Sequence, residues 1–178
     1  MPSSDRLAIR VATAADATSL VSLVNSAYRG ETSRAGWTTE ADLLGGQRVD
    51  IDGIEQALRE PGSVILAHPL SEPAWACVQL QRRTDVAYLG MLTIKPLLQG
   101  RGVGRQLLAA AEHWAQQNWD ATAIEMTVIT QRPELIAWYE RRGYARTGFI
   151  RPFPYGDPRF GLPQRADLRF EVLRRELR

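Results

Sequence analysis

The pattern of apolar and polar residues predicts alternating strands and helices along the chain. Strict alternation or a short apolar run indicates strands at 7–11, 63–67, 74–81, 86–94, 123–129, 144–150 and 167–173. Apolar residues at helical spacing indicate helices at 14–28, 39–44, 52–60, 103–119 and 133–142. Residues 29–37, with two glycines and mixed charges, are predicted to form a loop.

The order of these elements predicts a mixed α/β sheet. The three consecutive strands within 63–94 imply antiparallel pairing, whereas the helix between the strands at 86–94 and 123–129 implies one parallel crossover. The 178 residues fit one domain, and we find no linker or internal repeat that would divide them. We therefore expect a single domain over 1–178 with about seven strands.

The composition excludes several classes of protein and site. One cysteine, Cys77, and two histidines leave too few ligands for a disulfide framework or a typical zinc site, so we expect no metal. Cys77 lies in a predicted strand and is expected to be a small core residue. No apolar run approaches the ~18 residues of a membrane span, and no apolar stretch typical of a secretory signal follows the first residues. We expect a cytoplasmic protein without a membrane partner.

The net charge of +2 hides an asymmetry. Residues 141–178 carry 10 arginines against 4 acidic residues, so the chain before them is net acidic. A basic end of this kind is either a solvated surface or a site for a polyanion or phosphate, which guanidinium groups bind with two hydrogen bonds.

Residues 92–108 join a strand to a helix through three closely spaced glycines, Gly100, Gly102 and Gly104. Glycine permits positive φ and lets a ligand approach the backbone closely. The free amides of a helix's first turn and the positive end of its dipole attract anions, so a diphosphate is a natural ligand. Arg101 and Arg105 add charge-assisted contacts. The alternative is a glycine-rich turn that binds nothing.

Two other phosphate-binding loops are excluded. A P-loop requires a Gly-Lys pair, and the sequence has none. A dinucleotide fingerprint that starts at Gly100 requires glycine where Arg105 stands.

The spacing of Gln99, Gly102 and Gly104 resembles the Gln/Arg-x-x-Gly-x-Gly/Ala loop of the GNAT superfamily of N-acetyltransferases, whose co-substrate is acetyl-CoA. The resemblance implies a mostly antiparallel sheet with helices on both faces and two strands that splay apart at the coenzyme. It also implies that the pantetheine arm lies along Leu92 and Ile94, with Lys95 or Thr93 nearby. The amides of the loop would then hold the diphosphate; the loop residues are Gly100, Arg101, Gly102, Val103, Gly104 and Arg105.

A second match lies in the helix at 133–142. The segment from Trp138-Tyr139 to Gly143-Tyr144 resembles the family's Phe-Tyr-x-x-x-Gly-Phe. The family's tyrosine protonates the leaving CoA thiolate, which implies the same role for Tyr139; the alternative is that Tyr139 only packs. The family often has Asn seven residues earlier. Here the residue is Arg132, for which we consider a contact with a CoA phosphate.

The acceptor side is less defined. An ammonium ion cannot attack a thioester, so a base must remove its proton; Glu125 is one candidate, and the alternative is that it is a surface carboxylate. The family's acceptor site is formed by its early region, which implies an amine pocket at Tyr28, Glu31, Trp37 and Glu40, with Asp42 beside them. The alternative is a buried Trp37 with solvated acids around it. The acids there favour a cationic acceptor. Residues 152–163 form either a lid over this pocket or a packed connection.

We predict an N-acetyltransferase that moves acetyl from acetyl-CoA to a primary amine of a small molecule or a protein or peptide, by direct attack. The alternative is a non-catalytic module that binds or senses acyl-CoA. A third hypothesis is nucleic-acid binding through the arginine-rich end, but we expect no nucleic-acid partner. A homodimer is compatible with the predicted edge strands.

Overall fold

The computed structural model describes residues 7–68 and 73–178, so most of the predicted turn at 68–73 lies outside the described residues. The strands are β1 (Arg10–Val11), β2 (Leu44–Gly45), β3 (Ser63–His68), β4 (Ala76–Arg83), β5 (Val86–Ile94), β6 (Ala123–Ile129), β7 (Ala145–Pro152), β8 (Leu162–Pro163) and β9 (Arg169–Glu176). The helices are α1 (Ala17–Tyr28), α2 (Gly30–Ser33), α3 (Ile51–Arg59), α4 (Val103–Trp119) and α5 (Pro133–Glu140).

Seven strands form one sheet in the order β1-β3-β4-β5-β6-β9-β7, and β2 pairs with β8 in a separate two-stranded sheet. Within the seven-stranded sheet, β5 and β6 are parallel and the other neighbours are antiparallel. The predicted mixed sheet and its single parallel crossover are confirmed.

The parallel pair separates along its length. β5 and β6 pair only where Val86–Tyr88 faces Ala123–Glu125, although β5 continues to Ile94 and β6 to Ile129. Met91, inside β5, has φ of 56°, and the β4–β5 register shifts between Cys77 and Gln79. A bulge bends a strand and increases its twist, so β5 turns away from β6 and leaves an opening in the sheet. The predicted splay is therefore present.

Helices cover both faces, as expected. The helix α4 packs through Leu107, Leu108 and Ala111 on a core that includes Val78 and Leu80 of β4. On the opposite face, α1 and α3 cover a second core that contains Cys77, which is fully buried as predicted. Period-two alternation along β4 thus supplies both cores.

The prediction of a helix at 39–44 is wrong. Residues 41–43 form a turn, and Leu44–Gly45 is the strand β2, whose partner is β8. The pattern of residues 39–44 does not reflect the buried face of a helix, because Glu40 is buried among charged partners from other parts of the chain. The predicted loop at 29–37 also contains a one-turn helix, α2.

Residues 152–163 pack at one end into the core and border a cavity at the other. Phe153 is buried against Phe170, whereas Phe160 is partly exposed and lies at a cavity wall. Tyr155 connects the segment to the residues that precede β9, because its hydroxyl donates to the Arg165 carbonyl at 2.8 Å. The segment is a packed wall whose end pairs with β2.

Half of the ten arginines of the basic end are paired with acids inside this chain. Arg175 contacts both carboxylate oxygens of Glu112, and Arg174 contacts Glu125 and Glu176. Such pairing reduces the charge that a polyanion would meet.

Among the described residues, no helix is both long and apolar enough to cross a membrane.

Candidate active site

Two cavities meet in the opening between β5 and β6. The first, of about 270 Å³, lies against the glycine-rich loop and α5; the second, of about 230 Å³, lies between β6 and residues 153–160. Five side chains line both cavities: Tyr28, Leu92, Arg132, Leu135 and Tyr139. Reactants entering from the two cavities would therefore meet beside Tyr139.

The glycine-rich loop has the backbone that an anion requires. Gly100 and Gly102 have φ of 76° and 81°, and a side chain at either position would meet no atom within 4 Å. Within the described part of the chain, no amide of residues 100–105 donates a hydrogen bond, whereas the amide of Gln106 donates to Gly102. Six consecutive donors at the start of α4 thus remain available to a ligand.

The first cavity is also positive. Arg105 and Arg142 line it, and no carboxylate does so among the described residues. Arg142 stacks on the ring of Trp138 with its guanidinium carbon 3.6 Å from the ring centroid, and donates to the Trp138 carbonyl at 2.7 Å. Arg142 is thus held in place, and the two cations complement a ligand with several phosphate charges.

β5 presents its backbone to the opening. The Lys95 amide donates to the Trp75 carbonyl next to β4, and because backbone groups alternate, Ile94 and Leu92 face the other edge. Both carbonyls accept from side chains: Leu92 from the Tyr28 hydroxyl at 2.8 Å and Ile94 from the Gln99 amide at 3.0 Å. We expect their N–H groups to remain for a ligand in the opening.

Gln99, predicted only as part of the loop motif, is a bridge. Its Nε2 donates to the Ile94 carbonyl, and its Oε1 accepts from the Trp37 amide at 2.7 Å. A Cβ at Gly36 would lie 2.5 Å from that Oε1, so a side chain there would displace the Gln99 amide from this position. Gln99 thereby fixes residues 36–37 and the loop on the end of β5, a role that no local sequence pattern indicates.

We expect Gly36→Ala to weaken coenzyme binding without unfolding the protein. The new methyl group displaces the Gln99 amide and breaks hydrogen bonds worth about 0.5–1.5 kcal/mol each, so the Michaelis constant for acetyl-CoA should rise about tenfold. Steady-state kinetics measure this, with Gly45→Ala as the control because its methyl group would meet only ordinary contacts. An equal Michaelis constant in both variants would contradict the bridge.

Tyr139 is held at the junction by packing. Its ring makes edge-to-face contacts with Trp138 and Tyr144, at centroid distances of 5.0 and 5.7 Å. The hydroxyls of Tyr28, Tyr88 and Tyr144 form hydrogen bonds within the protein, whereas the Tyr139 hydroxyl forms none with the described residues, so its proton is available to a ligand. Burial raises the pKa of this hydroxyl well above its ordinary value, and nearby Tyr28 adds to the rise. Tyr139 is therefore protonated throughout the neutral range.

Glu40 lies between two buried arginines. One carboxylate oxygen accepts from Arg29 and the other accepts from Arg132 at 2.9 Å. Arg132 also donates to the Thr38 hydroxyl at 2.7 Å, and Arg29 donates to the Phe160 carbonyl at 3.1 Å. The group joins the α1–β2 segment, the start of α5 and the wall at 153–160.

The structure separates the other predicted site residues. Trp37 lines the first cavity rather than the second, and its side chain is half exposed. Glu31 lines neither cavity and pairs on the surface with Arg34. Glu125 also lies outside both and pairs with Arg174 at 3.0 Å. Arg132 has Glu40 and Thr38 as partners, which is a structural role that the phosphate hypothesis did not include.

Sequence comparison identifies the family. The model of the acetyltransferase (GNAT) family matches residues 34–144, which is more than half of the chain. The chain belongs to the GNAT acetyltransferase family. The resemblance in the glycine-rich loop and in the segment around Tyr139 is thus confirmed at the level of the family, and the protein is an acyltransferase. No curated protein matches the sequence.

Solved GNAT structures share the fold. A ribosomal-protein-alanine N-acetyltransferase from Brucella melitensis is 19% identical with a TM-score of 0.69, over 96% of this chain and 100% of that one. A spermidine N-acetyltransferase chimera from Vibrio cholerae and hSSAT is 15% identical with a TM-score of 0.68, over 97% and 96%. A protein described as a streptothricin acetyltransferase from Bacillus anthracis, in complex with acetyl coenzyme A, is 18% identical with a TM-score of 0.55, over 69% and 67%.

In the described part of the chain, no group of three or more His, Cys, Asp or Glu side chains is arranged to hold a metal ion.

Proposed function

We propose that this GNAT enzyme transfers the acetyl group of acetyl-CoA to a primary amine by direct attack. The observation that carries the proposal is that the two cavities meet at Tyr139, with the glycine-rich loop lining the first and an apolar wall with three arginines lining the second. The coenzyme occupies the first cavity, with its diphosphate on the amides of residues 100–105. The amine occupies the second.

Acetyl-CoA supplies a thioester whose carbonyl carbon forms the new bond to nitrogen as its bond to sulfur breaks. Backbone N–H groups of β5 at the opening stabilise the negative charge on the carbonyl oxygen. Tyr139 donates its proton to the departing sulfur and recovers one from solvent, and the newly acylated nitrogen releases its excess proton to solvent. The burial that raises the Tyr139 pKa also strengthens a desolvated thiolate as a base, just as burial raises the pKa of Cys77 to about 12.

The amine must lose one proton before the attack. Glu40 is the one carboxylate among the described residues that line the cavities, and arginines occupy both of its oxygens. We propose that water removes the proton. The guanidinium groups of Arg29 and Arg132 assist because nearby positive charge favours the neutral form of a bound amine.

The pH dependence of turnover should reflect these assignments. With an amine of ordinary pKa, the rate should rise from pH 6 as the amine deprotonates. It should not fall before about pH 10, because the raised pKa of Tyr139 keeps its proton in place. Initial rates with saturating acetyl-CoA measure the profile. A loss of turnover between pH 8 and 9 in folded protein would contradict the assignment.

Release of free thiol from acetyl-CoA, followed with a panel of primary amines, tests the proposal. Amine-dependent thiol release together with an acetylated amine in the mass spectrum is the expected result. Binding of acetyl-CoA without transfer to any amine would instead support the non-catalytic acyl-CoA-binding alternative.

A further inference from the structure

The charges around the second cavity are opposite to those that the sequence suggested. Glu31 and Asp42 both pair with Arg34 at the surface, and Glu40 is shared by two arginines. Arg29, Arg48 and Arg132 line the cavity, whereas Glu40 is the single carboxylate among its described lining residues. The cavity is therefore net positive, and a cationic acceptor would meet repulsion.

Arg48 is the cation without an anionic partner. Arg29 and Arg132 are neutralised in part by Glu40, but Arg48 pairs with no carboxylate within residues 7–68 and 73–178. Its guanidinium carbon lies 5.5 Å from the centroid of the Tyr28 ring, so an aromatic face is its neighbour instead of an acid. An arginine that is half-buried and lines a cavity without a counter-ion is suited to a ligand anion.

The backbone fixes the position of Arg48. The Asn25 side chain of α1 accepts from the amides of Arg48 and Val49 at 2.7 and 3.1 Å and donates to the Val49 carbonyl. Tyr28, one turn further along α1, donates to the Leu92 carbonyl at the opening. One aromatic ring thus separates Arg48 from the strand that faces the reacting carbonyl.

Most of the remaining wall of the second cavity is apolar. It includes the apolar residues Leu89, Met126, Val128, Phe153, Phe160 and Phe170. The cavity volume of about 230 Å³ is below the ~300–1,000 Å³ of pockets for drug-sized ligands, so a small acceptor fits best.

We propose that the acceptor is a small amine that also carries a carboxylate, with an apolar body: a free amino acid with an aromatic or aliphatic side chain. This rests on the proposed function. Arg48 binds the carboxylate, the aromatic wall holds the side chain, and the amino group reaches the opening beside Tyr139. Arg48 is the residue that determines specificity for the carboxylate.

Matched substrates separate the contribution of the carboxylate from that of the amine. We would measure kcat/KM with acetyl-CoA for L-phenylalanine, L-leucine and L-methionine, for the amide of each, for spermidine and for a short peptide with a free N-terminus. Arg48→Gln should lower kcat/KM about ten- to hundredfold for the free amino acids and less than about threefold for their amides. The control is Arg59→Gln, an exposed residue of α3 remote from both cavities, which should alter neither.

The outcomes distinguish the inferred amino-acid acceptor from the proposed acetyltransferase function. Preference for the amino acids and its selective loss in Arg48→Gln support the inference. Equal use of acids and amides, or preference for spermidine or the peptide, overturns the carboxylate assignment and leaves the acetyltransferase function intact. Absence of transfer to every amine overturns both.

Discussion

Replacing Tyr139 with phenylalanine should lower kcat by about 10²–10³-fold while leaving the Michaelis constant for acetyl-CoA nearly unchanged. Positioned general acids contribute about 10²–10⁴-fold to a rate, and the hydroxyl is the only group that this substitution removes. The ring keeps its edge-to-face contacts with Trp138 and Tyr144, so the cavity retains its shape. Steady-state kinetics with a fixed amine measure both constants.

Tyr144→Phe is the matched control. Tyr144 lies beside Tyr139 but lines neither cavity, and its hydroxyl donates to Glu112 at 2.8 Å. Loss of this hydroxyl should lower the free energy of unfolding by only about 1 kcal/mol, because Glu112 keeps its contacts with Arg175. We expect little change in kcat, because Tyr144 lines neither cavity. If both variants turned over at the wild-type rate, Tyr139 would have only a packing role.

The second large effect is on stability. Glu40→Gln should lower the free energy of unfolding by about 3–5 kcal/mol, since removing one member of a buried ion group leaves its partners uncompensated. Arg29 and Arg132 are each about 5% exposed, so solvent compensates their charges only weakly once the carboxylate charge is lost. Urea denaturation followed by tryptophan fluorescence measures the change.

Asp42→Asn is the control for charge alone. Asp42 lies two residues away and pairs with Arg34 on the surface, so its substitution should leave stability unchanged within error. Equal midpoints for the two variants would show that the Arg29–Glu40–Arg132 group does not hold the α1–β2 segment to α5.

The chemistry of the coenzyme side could be predicted from the sequence because its determinants are local. Gly100, Gly102 and Gly104 lie within five residues, and Gly100 and Gly102 adopt the positive φ that the glycine pattern predicted. Alternation along the strands likewise predicted the sheet, since burial of each face depends on neighbouring residues. The GNAT family match is consistent with both.

The acceptor side could not be predicted in the same way. The charge of Glu40 is cancelled by Arg29 and by Arg132, which is 92 residues away, and such pairing is invisible to local patterns. The same long-range contacts replaced the expected helix at 39–44 with a turn and a strand. Arg48 has no motif around it, and only the cavity reveals its position.

Hydrogen–deuterium exchange of residues 92–105, measured with and without CoA, tests the central claim most directly. Without ligand, the amides of residues 100–105 form no hydrogen bonds among the described residues and should exchange rapidly. We predict strong protection of these amides on addition of CoA. Unchanged exchange at saturating CoA would contradict the assignment of the loop to the diphosphate.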